Sequence, residues 1–200
     1  LNYGSYRFEK GYQNDVKENL HRTNALKTAL LTEPDLLPLP GPVQRYLKYT
    51  GVLNKPKLKN MRIVFEGQMR EKGKPFFPFT CEQYNFFDEP TRLFFMKATM
   101  KGFTVPGYHK YSNAKALMDI RLFGSFPVVK KAGKDMDQAE TVTLFNDMCL
   151  MAPATLIDKR ITWQAIDSNS AKATFTNHAI SISAILYFNK QGQLIDFISN

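Results

Sequence analysis

The sequence predicts an α+β fold: a large, curved, half-barrel-like antiparallel sheet of about nine or ten strands, with N-terminal helices and one long helix inserted between strands. Two observations predict it. From Leu58 onward, apolar residues recur at a period of two, and turn residues divide the chain at hairpin spacing. Strands and helices do not alternate as they do in parallel sheets. We therefore expect a helical segment over residues 1–57 that packs on the sheet, and a β domain over residues 58–200, in one structural domain overall.

The N-terminal segment is predicted to be helical because large residues recur every four positions within Tyr6–Ala29. These residues are Phe8, Tyr12, Val16 and Leu20. The stripe is narrow, so we expect this helix to lie on the domain surface or to continue an upstream element. Pro42 then opens a second predicted helix, Pro42–Tyr49, because proline favours the first helical turn. Gly51 is predicted to end it.

The strands are predicted from alternating hydrophobicity and from the turns between them. The predicted strands are Met61–Met69, Phe76–Phe87, Arg92–Lys101, Leu117–Phe123, Ile161–Ile166, Ala171–Phe175, Ile180–Phe188 and Leu194–Ile198. Pro106-Gly107 and Ser112-Asn113 are interpreted as breaks around two further extended pieces. In Ile180–Phe188, every second residue is apolar, which predicts that one face of this strand is buried.

One long helix is predicted between the two groups of strands, over residues 135–151. Asp135 or Asp137 is suited to cap its N-terminus, and Glu140 stands three residues beyond Asp137, at capping-box spacing. Its predicted apolar face consists of Val142, Leu144, Phe145, Met148 and Cys149. Pro153 is expected to end or kink the helix.

The net charge of +9 is distributed unevenly along the chain. Residues 1–60 carry +5, residues 61–134 carry +7 and residues 135–200 carry −3. A basic surface suits an anionic membrane or a nucleic acid, although scattered lysines also form ordinary solvated surfaces. The sequence disfavours nucleic-acid binding, because it contains neither a zinc pattern nor an RNA-reading signature. The three histidines lack the convergent spacing of metal ligands, so we expect no metal and no cofactor.

The two cysteines and the first residue bear on the cellular compartment. Cys81 and Cys149 are 68 positions apart, which fits either a disulfide in an oxidising compartment or two free, partly buried thiols. The chain starts at Leu1, so we expect that a signal peptide, an anchor helix or an expression tag has been removed. A membrane-anchored or extracytoplasmic location would follow from the first two cases.

Four stretches resemble an uncharacterised bacterial family, a domain of unknown function. They are Leu37-Pro-Leu-Pro-Gly-Pro-Val-Gln-Arg-Tyr-Leu-Lys-Tyr-Thr-Gly51, Phe79-Thr-Cys-Glu-Gln-Tyr84, Pro153-Ala-Thr-Leu-Ile157 and Trp163-Gln-Ala-Ile-Asp167. The resemblance spans residues 35–198 and implies no activity. Similar proteins run on for several more strands. In architecture alone, the strand count is similar to the half-barrels of bacterial lipoprotein carriers, and an analogy between folds does not establish function.

The phenylalanine-rich strands give the leading functional hypothesis, because neither Phe76–Phe87 nor Arg92–Lys101 has a cleanly polar face. Such a sheet needs cover on both faces, from the N-terminal helices, a bound lipid, a partner protein or further C-terminal strands. An ordinary aromatic core is the plainer interpretation. The leading hypothesis is a non-enzymatic domain of the bacterial cell envelope that binds a lipid or another apolar ligand in a hydrophobic cavity. The candidate ligand-binding residues are Phe77, Phe79, Phe95, Met96, Phe145 and Met148.

The alternative hypothesis is an enzyme. Common nucleophile, phosphate-binding and zinc motifs are absent from the sequence. A hydrolase or isomerase would then need an acid–base site assembled from distant residues, and the candidates are Glu82, His109 and Asp147. This hypothesis requires the three side chains to converge in one pocket.

Overall fold

The computed structural model describes residues 2–199, with side chains from Gly4 onward. Its helices are α1 (Asn2–Asn24), α2 (Glu33–Leu36), α3 (Gly41–Tyr49) and α4 (Lys134–Leu150), and a short 3₁₀ helix covers Pro153–Ile157. Its strands are β1 (Asn60–Met69), β2 (Phe77–Phe86), β3 (Thr91–Met100), β4 (Phe103–Ser112), β5 (Lys115–Leu122), β6 (Phe126–Ala132), β7 (Ile161–Ala165), β8 (Ser170–Asn177), β9 (Ile180–Phe188) and β10 (Leu194–Ser199).

All pairings between these strands are antiparallel, which confirms the predicted α+β class with ten strands and one inserted helix. The strands form two open sheets rather than the single sheet expected. The first has the order β1-β2-β3-β4-β5-β6 and the second the order β10-β9-β8-β7. The division falls where α4 and the 3₁₀ helix separate β6 from β7, because a hairpin cannot pair strands across so long a connection.

The described chain divides into two compact units, each with one sheet. The first contains the chain up to Leu26 together with Lys59–Asp137, and the second contains Lys27–Leu58 together with Gln138–Asn200. The boundary therefore falls within α4. Helix α1 belongs to the first unit, and α2 and α3 belong to the second.

In the first unit, the apolar stripe of α1 packs on one face of the six-stranded sheet. The buried cluster consists of Tyr12, Val16, Phe86, Leu93, Phe95 and Tyr108, with Phe8, Leu20 and Tyr84 packed against it. The rings of Tyr12 and Phe95 stack with their centroids 5.1 Å apart. At the start of α1, Ser5 comes so close to Gly124 that a side chain at position 124 would meet the backbone of Ser5 at 2.5 Å. Only glycine fits there, since its φ of +68° is also left-handed.

In the second unit, aromatic residues of α3 and α4 pack against those of β8 and β9. The rings of Phe145 and Phe175 are stacked with their centroids 5.5 Å apart. Tyr46 packs against Phe188 at 5.5 Å, and its hydroxyl donates a hydrogen bond of 2.7 Å to the backbone carbonyl of Cys149. Burial raises the pKa of Tyr46 to about 12. The alternation predicted for β9 is confirmed, because Ile182, Ala184, Leu186 and Phe188 are all buried.

The sequence analysis made two errors in the first sheet. It placed a break inside one strand and missed another strand, so the predicted number of strands is still correct. Pro106 and Gly107 lie inside β4 rather than at a break. Pairing of β4 with β5 begins only at Gly107, so the missing N–H of Pro106 removes no hydrogen bond on that side. Strand β6 was not predicted, because it is an edge strand with mostly exposed residues and lacks alternating burial.

Two helix boundaries also differ from the prediction. Helix α1 ends at Asn24, because the next residues run extended beside Lys55–Lys57, with Leu31 N donating to the carbonyl of Lys55 at 2.9 Å. Helix α4 begins at Lys134, so Asp137 lies within its first turn rather than at its cap. The Asp137 carboxylate instead accepts a hydrogen bond of 2.7 Å from the backbone N–H of Ala116.

Candidate functional site

The two faces of the six-stranded sheet differ in character. Helix α1 covers the face that carries Glu82, Phe95 and Tyr108, which lie opposite one another on β2, β3 and β4. We call the opposite side the aromatic face. Its residues, read from the strand register, include Ile63, Phe65, Phe77, Phe79, Cys81, Gln83, Asn85, Arg92, Phe94, Met96, Gly107, His109, Met118 and Ile120.

A connected series of rings crosses four strands of the aromatic face. The centroid of Phe65 lies 6.0 Å from that of Phe79 and 6.2 Å from that of Phe94. The ring of Phe94 lies 5.4 Å from that of His109. These side chains remain partly accessible, and Phe65 is 38% exposed. Partly accessible aromatic rings in one continuous series are a candidate site for an apolar ligand.

The middle of the aromatic face forms a shallow apolar trough. We define it by one row of residues that lie opposite one another on β1 to β5: Phe65, Cys81, Met96, Gly107 and Ile120. A methyl group placed on Gly107 would meet, among the described residues and apart from its chain neighbours, only Cγ1 of Ile120 within 4 Å. The glycine therefore leaves a gap in the row of side chains.

Polar side chains border the trough on the side toward the β2–β3 and β4–β5 turns. Arg92 Nη2 donates to Oε1 of Gln83 at 2.9 Å, and Gln83 Nε2 donates to Oδ1 of Asn85 at 2.9 Å. All three residues are buried. The guanidinium of Arg92 also lies 5.0 Å from the centroid of Phe94. The aromatic face is thus apolar toward one end and polar toward the other.

Both cysteines are free thiols and both are buried. Cys81 lies in the trough, where burial raises its pKa to about 12, although the positive charge of Arg92 acts in the opposite direction. Burial also raises the pKa of Cys149 in the second unit. A buried neutral thiol behaves as a small apolar side chain, so Cys81 contributes to the apolar surface rather than acting as a nucleophile.

The structure does not bring the predicted acid–base residues Glu82 and His109 together. Glu82 lies on the face covered by α1, where its carboxylate accepts hydrogen bonds from Tyr12 at 3.0 Å and Arg62 at 2.6 Å. His109 lies on the aromatic face, beside Phe94. Side chains on opposite faces of a sheet cannot share a proton-transfer site, so no pocket unites these two. Asp147 is buried on α4 in the second unit.

The predicted ligand-binding residues fall into three groups. Phe77, Phe79 and Met96 lie on the aromatic face. Phe95 lies in the core beneath α1. Phe145 and Met148 are buried in the second unit.

The sequence analysis missed the residues that complete the aromatic face. These are Ile63, Phe65, Phe94, Gly107, Met118 and Ile120. Alternation assigned Phe94 and Met96 to one face of their strand, but it does not say which faces of successive strands coincide. Only the register supplies that relation.

A second groove of about 550 Å³ has walls of mixed polar and apolar character. It is lined by Glu66, Gly67, Gln68, Pro78, Phe79, Thr80, Lys97, Thr99 and Thr104. Glu66 and Lys97 are the charged residues among these, and Nζ of Lys97 pairs with the carboxylate of Glu9 at 2.8 Å. Within residues 2–199, no three His, Cys, Asp or Glu side chains are arranged to hold a metal ion. No helix in this part of the chain is both long enough and apolar enough to cross a membrane.

Comparison with known families assigns the chain to one family. The sequence matches the family of unknown function DUF6544 over residues 29–200. The chain belongs to DUF6544. This match confirms the resemblance found in the proline-rich segment and the later strands. It covers nearly all of the second unit of this DUF6544 protein and most of its first. No curated protein matches the chain.

Proposed function

We propose that this DUF6544 protein is a non-enzymatic binding domain for a single-chain amphiphile, such as a fatty acid, and that the acyl chain lies in the apolar trough. The observation that carries this proposal is the gap at Gly107, in the middle of a row of otherwise apolar residues. A gap lined by aliphatic, thiol and aromatic groups attracts a hydrocarbon chain, because water there makes no hydrogen bonds to the walls.

The dimensions of the trough fit this class of ligand. The row crosses five strands from Phe65 to Ile120, and strands lie about 4.8 Å apart, so its length is roughly 19 Å. An extended long acyl chain has a comparable length. Met96 and the neighbouring rings give the walls the adaptable shape that binding to flexible chains requires.

The polar border of the aromatic face supports one orientation of the ligand. His109 is partly accessible and lies next to the trough on β4, two residues from Gly107. Its imidazole is a hydrogen-bond donor for a carboxylate or phosphate head group. The head group of the amphiphile would therefore lie beside His109 on β4, and the hydrocarbon tail would run along the row toward Phe65 on β1.

The test is to fill the gap without changing the strand. Gly107 has no positive φ, so valine is compatible with its backbone and would occupy the space over the trough. We expect Gly107→Val to weaken palmitate binding roughly tenfold. The valine should exclude about two methylene groups of the ligand from the apolar trough. This exclusion should cost about 1.6 kcal/mol of binding free energy, at about 0.8 kcal/mol for each methylene. Binding is measured by native mass spectrometry and by displacement of a fluorescent fatty acid.

Thr99→Val is the matched control, because it places the same valine side chain at an exposed position on the other face of the same sheet. Its affinity for palmitate should equal that of the wild type. The proposal fails if the wild-type protein binds no palmitate, or if Gly107→Val and the wild type bind it equally well while both remain folded.

A further inference from the structure

Three of the five hairpin turns of the first sheet lie together at one end of it. Each joins an odd-numbered strand to the next strand of an antiparallel meander, so all three turns lie at the same end. The strand ends are in register there, since Met69 lies opposite Phe77 and Met100 opposite Phe103. The rings of Phe103 and Phe123 meet edge to face at 5.5 Å, so the second and third turns are in contact.

This end of the sheet exposes an unusual number of large apolar side chains. We call them the tip surface: Met69, Phe76, Met100, Phe103 and Phe126. Phe103 is 53% exposed and Phe126 is 65% exposed. Exposed apolar residues on protein surfaces are usually scattered singly, whereas a group of them marks an interaction site.

The same turns carry exposed cations. Arg70, Lys72, Lys74 and Lys101 lie between the apolar residues of the tip surface, and Glu71 is the one acidic residue in these turn segments. The guanidinium of Arg70 lies 4.5 Å from the ring centroid of Phe76, so charge and ring are adjacent. The tip surface and its neighbouring cations therefore form an amphipathic, basic surface.

We propose that the tip surface docks on an anionic phospholipid membrane, with the phenylalanines in the head-group region and the cations on the lipid phosphates. Its composition distinguishes a membrane from a protein partner. The centres of protein interfaces are depleted in lysine, whereas membrane-binding surfaces combine aromatic residues with lysine and arginine. The inference does not depend on acyl-chain binding, because the tip residues lie at the sheet end and not in the apolar trough.

Cosedimentation of the full chain with vesicles tests the docking. Phosphatidylcholine vesicles are compared with vesicles in which a third of the lipid is phosphatidylglycerol. We expect binding to the anionic vesicles that falls as salt increases. Lys72→Glu, Lys74→Glu and Lys101→Glu combined should lower the partition coefficient at least a hundredfold, at about fivefold for each cation removed. Phe76→Ser, Phe103→Ser and Phe126→Ser combined should abolish binding.

The matched controls change the same residue types in other places. The charge control combines Lys159→Glu, Lys172→Glu and Lys190→Glu, which lie exposed in the second unit and give the same net charge. The apolar control is Val64→Ser, at an exposed residue on β1 away from the turns. Both controls should retain most of the binding.

Three results would overturn the proposal. The first is that the wild type fails to bind anionic vesicles at low salt, and the second is that the charge control loses as much binding as the lysine variant of the tip surface. The third is that the wild type self-associates and does not bind vesicles, and that the phenylalanine variant abolishes this self-association. Because the substituted side chains are exposed, all variants should keep the wild-type circular dichroism spectrum. Palmitate binding by the tip variants separates a failure of docking from a failure of the trough.

Discussion

The hydroxyl of Tyr108 donates a hydrogen bond of 2.7 Å to the carboxylate of Asp15, which joins the centre of the six-stranded sheet to the middle of α1. The other carboxylate oxygen of Asp15 accepts a hydrogen bond of 2.8 Å from Nζ of Lys110. Burial of Tyr108 raises the pKa of its phenol well above the usual value, and the hydrogen bond to Asp15 adds to this effect. The neutral phenol is therefore held as a donor over the whole range in which proteins are studied.

This hydrogen bond should be worth a measurable part of the stability. We expect Tyr108→Phe to lower the free energy of unfolding by about 2 kcal/mol, because a hydrogen bond to a charged acceptor is lost while the ring still packs. The measurement is the urea midpoint at constant m-value. Tyr6→Phe is the control, since Tyr6 lies exposed on the same helix. Equal stability of Tyr108→Phe and Tyr6→Phe would contradict the prediction.

A second prediction concerns pH and the start of α4. The hydrogen bond from Lys115 and then that from the backbone of Ala116 lower the pKa of Asp137 below its ordinary 3.8, although burial opposes the shift. Because the folded-state pKa is the lower one, the ionised carboxylate stabilises the fold fully above about pH 4. This stabilisation is lost as the pH falls through the folded-state pKa.

The test compares Asp137→Asn with the wild type by urea unfolding at pH 7, 5 and 3. The variant should be less stable by about 1–2 kcal/mol at pH 7 and 5, since it loses a charge-assisted hydrogen bond. The difference should shrink at pH 3. Asp196→Asn, at an exposed position, should show no comparable difference. A deficit for Asp137→Asn that stays constant down to pH 3 would show that the carboxylate charge is not the cause.

The third prediction concerns the thiols. A pKa of about 12 for Cys81 leaves roughly one molecule in ten thousand as thiolate at pH 8, and the side chain is also buried. We expect Ellman's reagent to modify neither cysteine within minutes in the native protein and both in guanidinium chloride. Rapid reaction of one thiol before unfolding would contradict this, and failure of both to react after unfolding would indicate a disulfide.

Particular residues show how far the sequence analysis reached at the candidate site. Alternation correctly placed Phe77 and Phe79 on one face of β2, and Phe94 and Met96 on one face of β3. The acid–base hypothesis grouped Glu82 with His109, which the register assigns to opposite faces. Alternation is a local property of one strand. Whether residues of two different strands lie on the same face of the sheet depends on the turn lengths and on the strand pairing, which are not local.

The local pattern of the sequence by itself determined the antiparallel strands, the four-residue stripe of α1 and the insertion of one helix near residue 135. These features depend on neighbours within a few residues, whose spacing decides whether apolar side chains share a face. Only the tertiary structure decided that the strands form two sheets, that α1 covers one face of the first, and that Gly107 leaves a gap in the other. Those outcomes depend on contacts between residues far apart in the chain, because burial is settled by which surfaces meet.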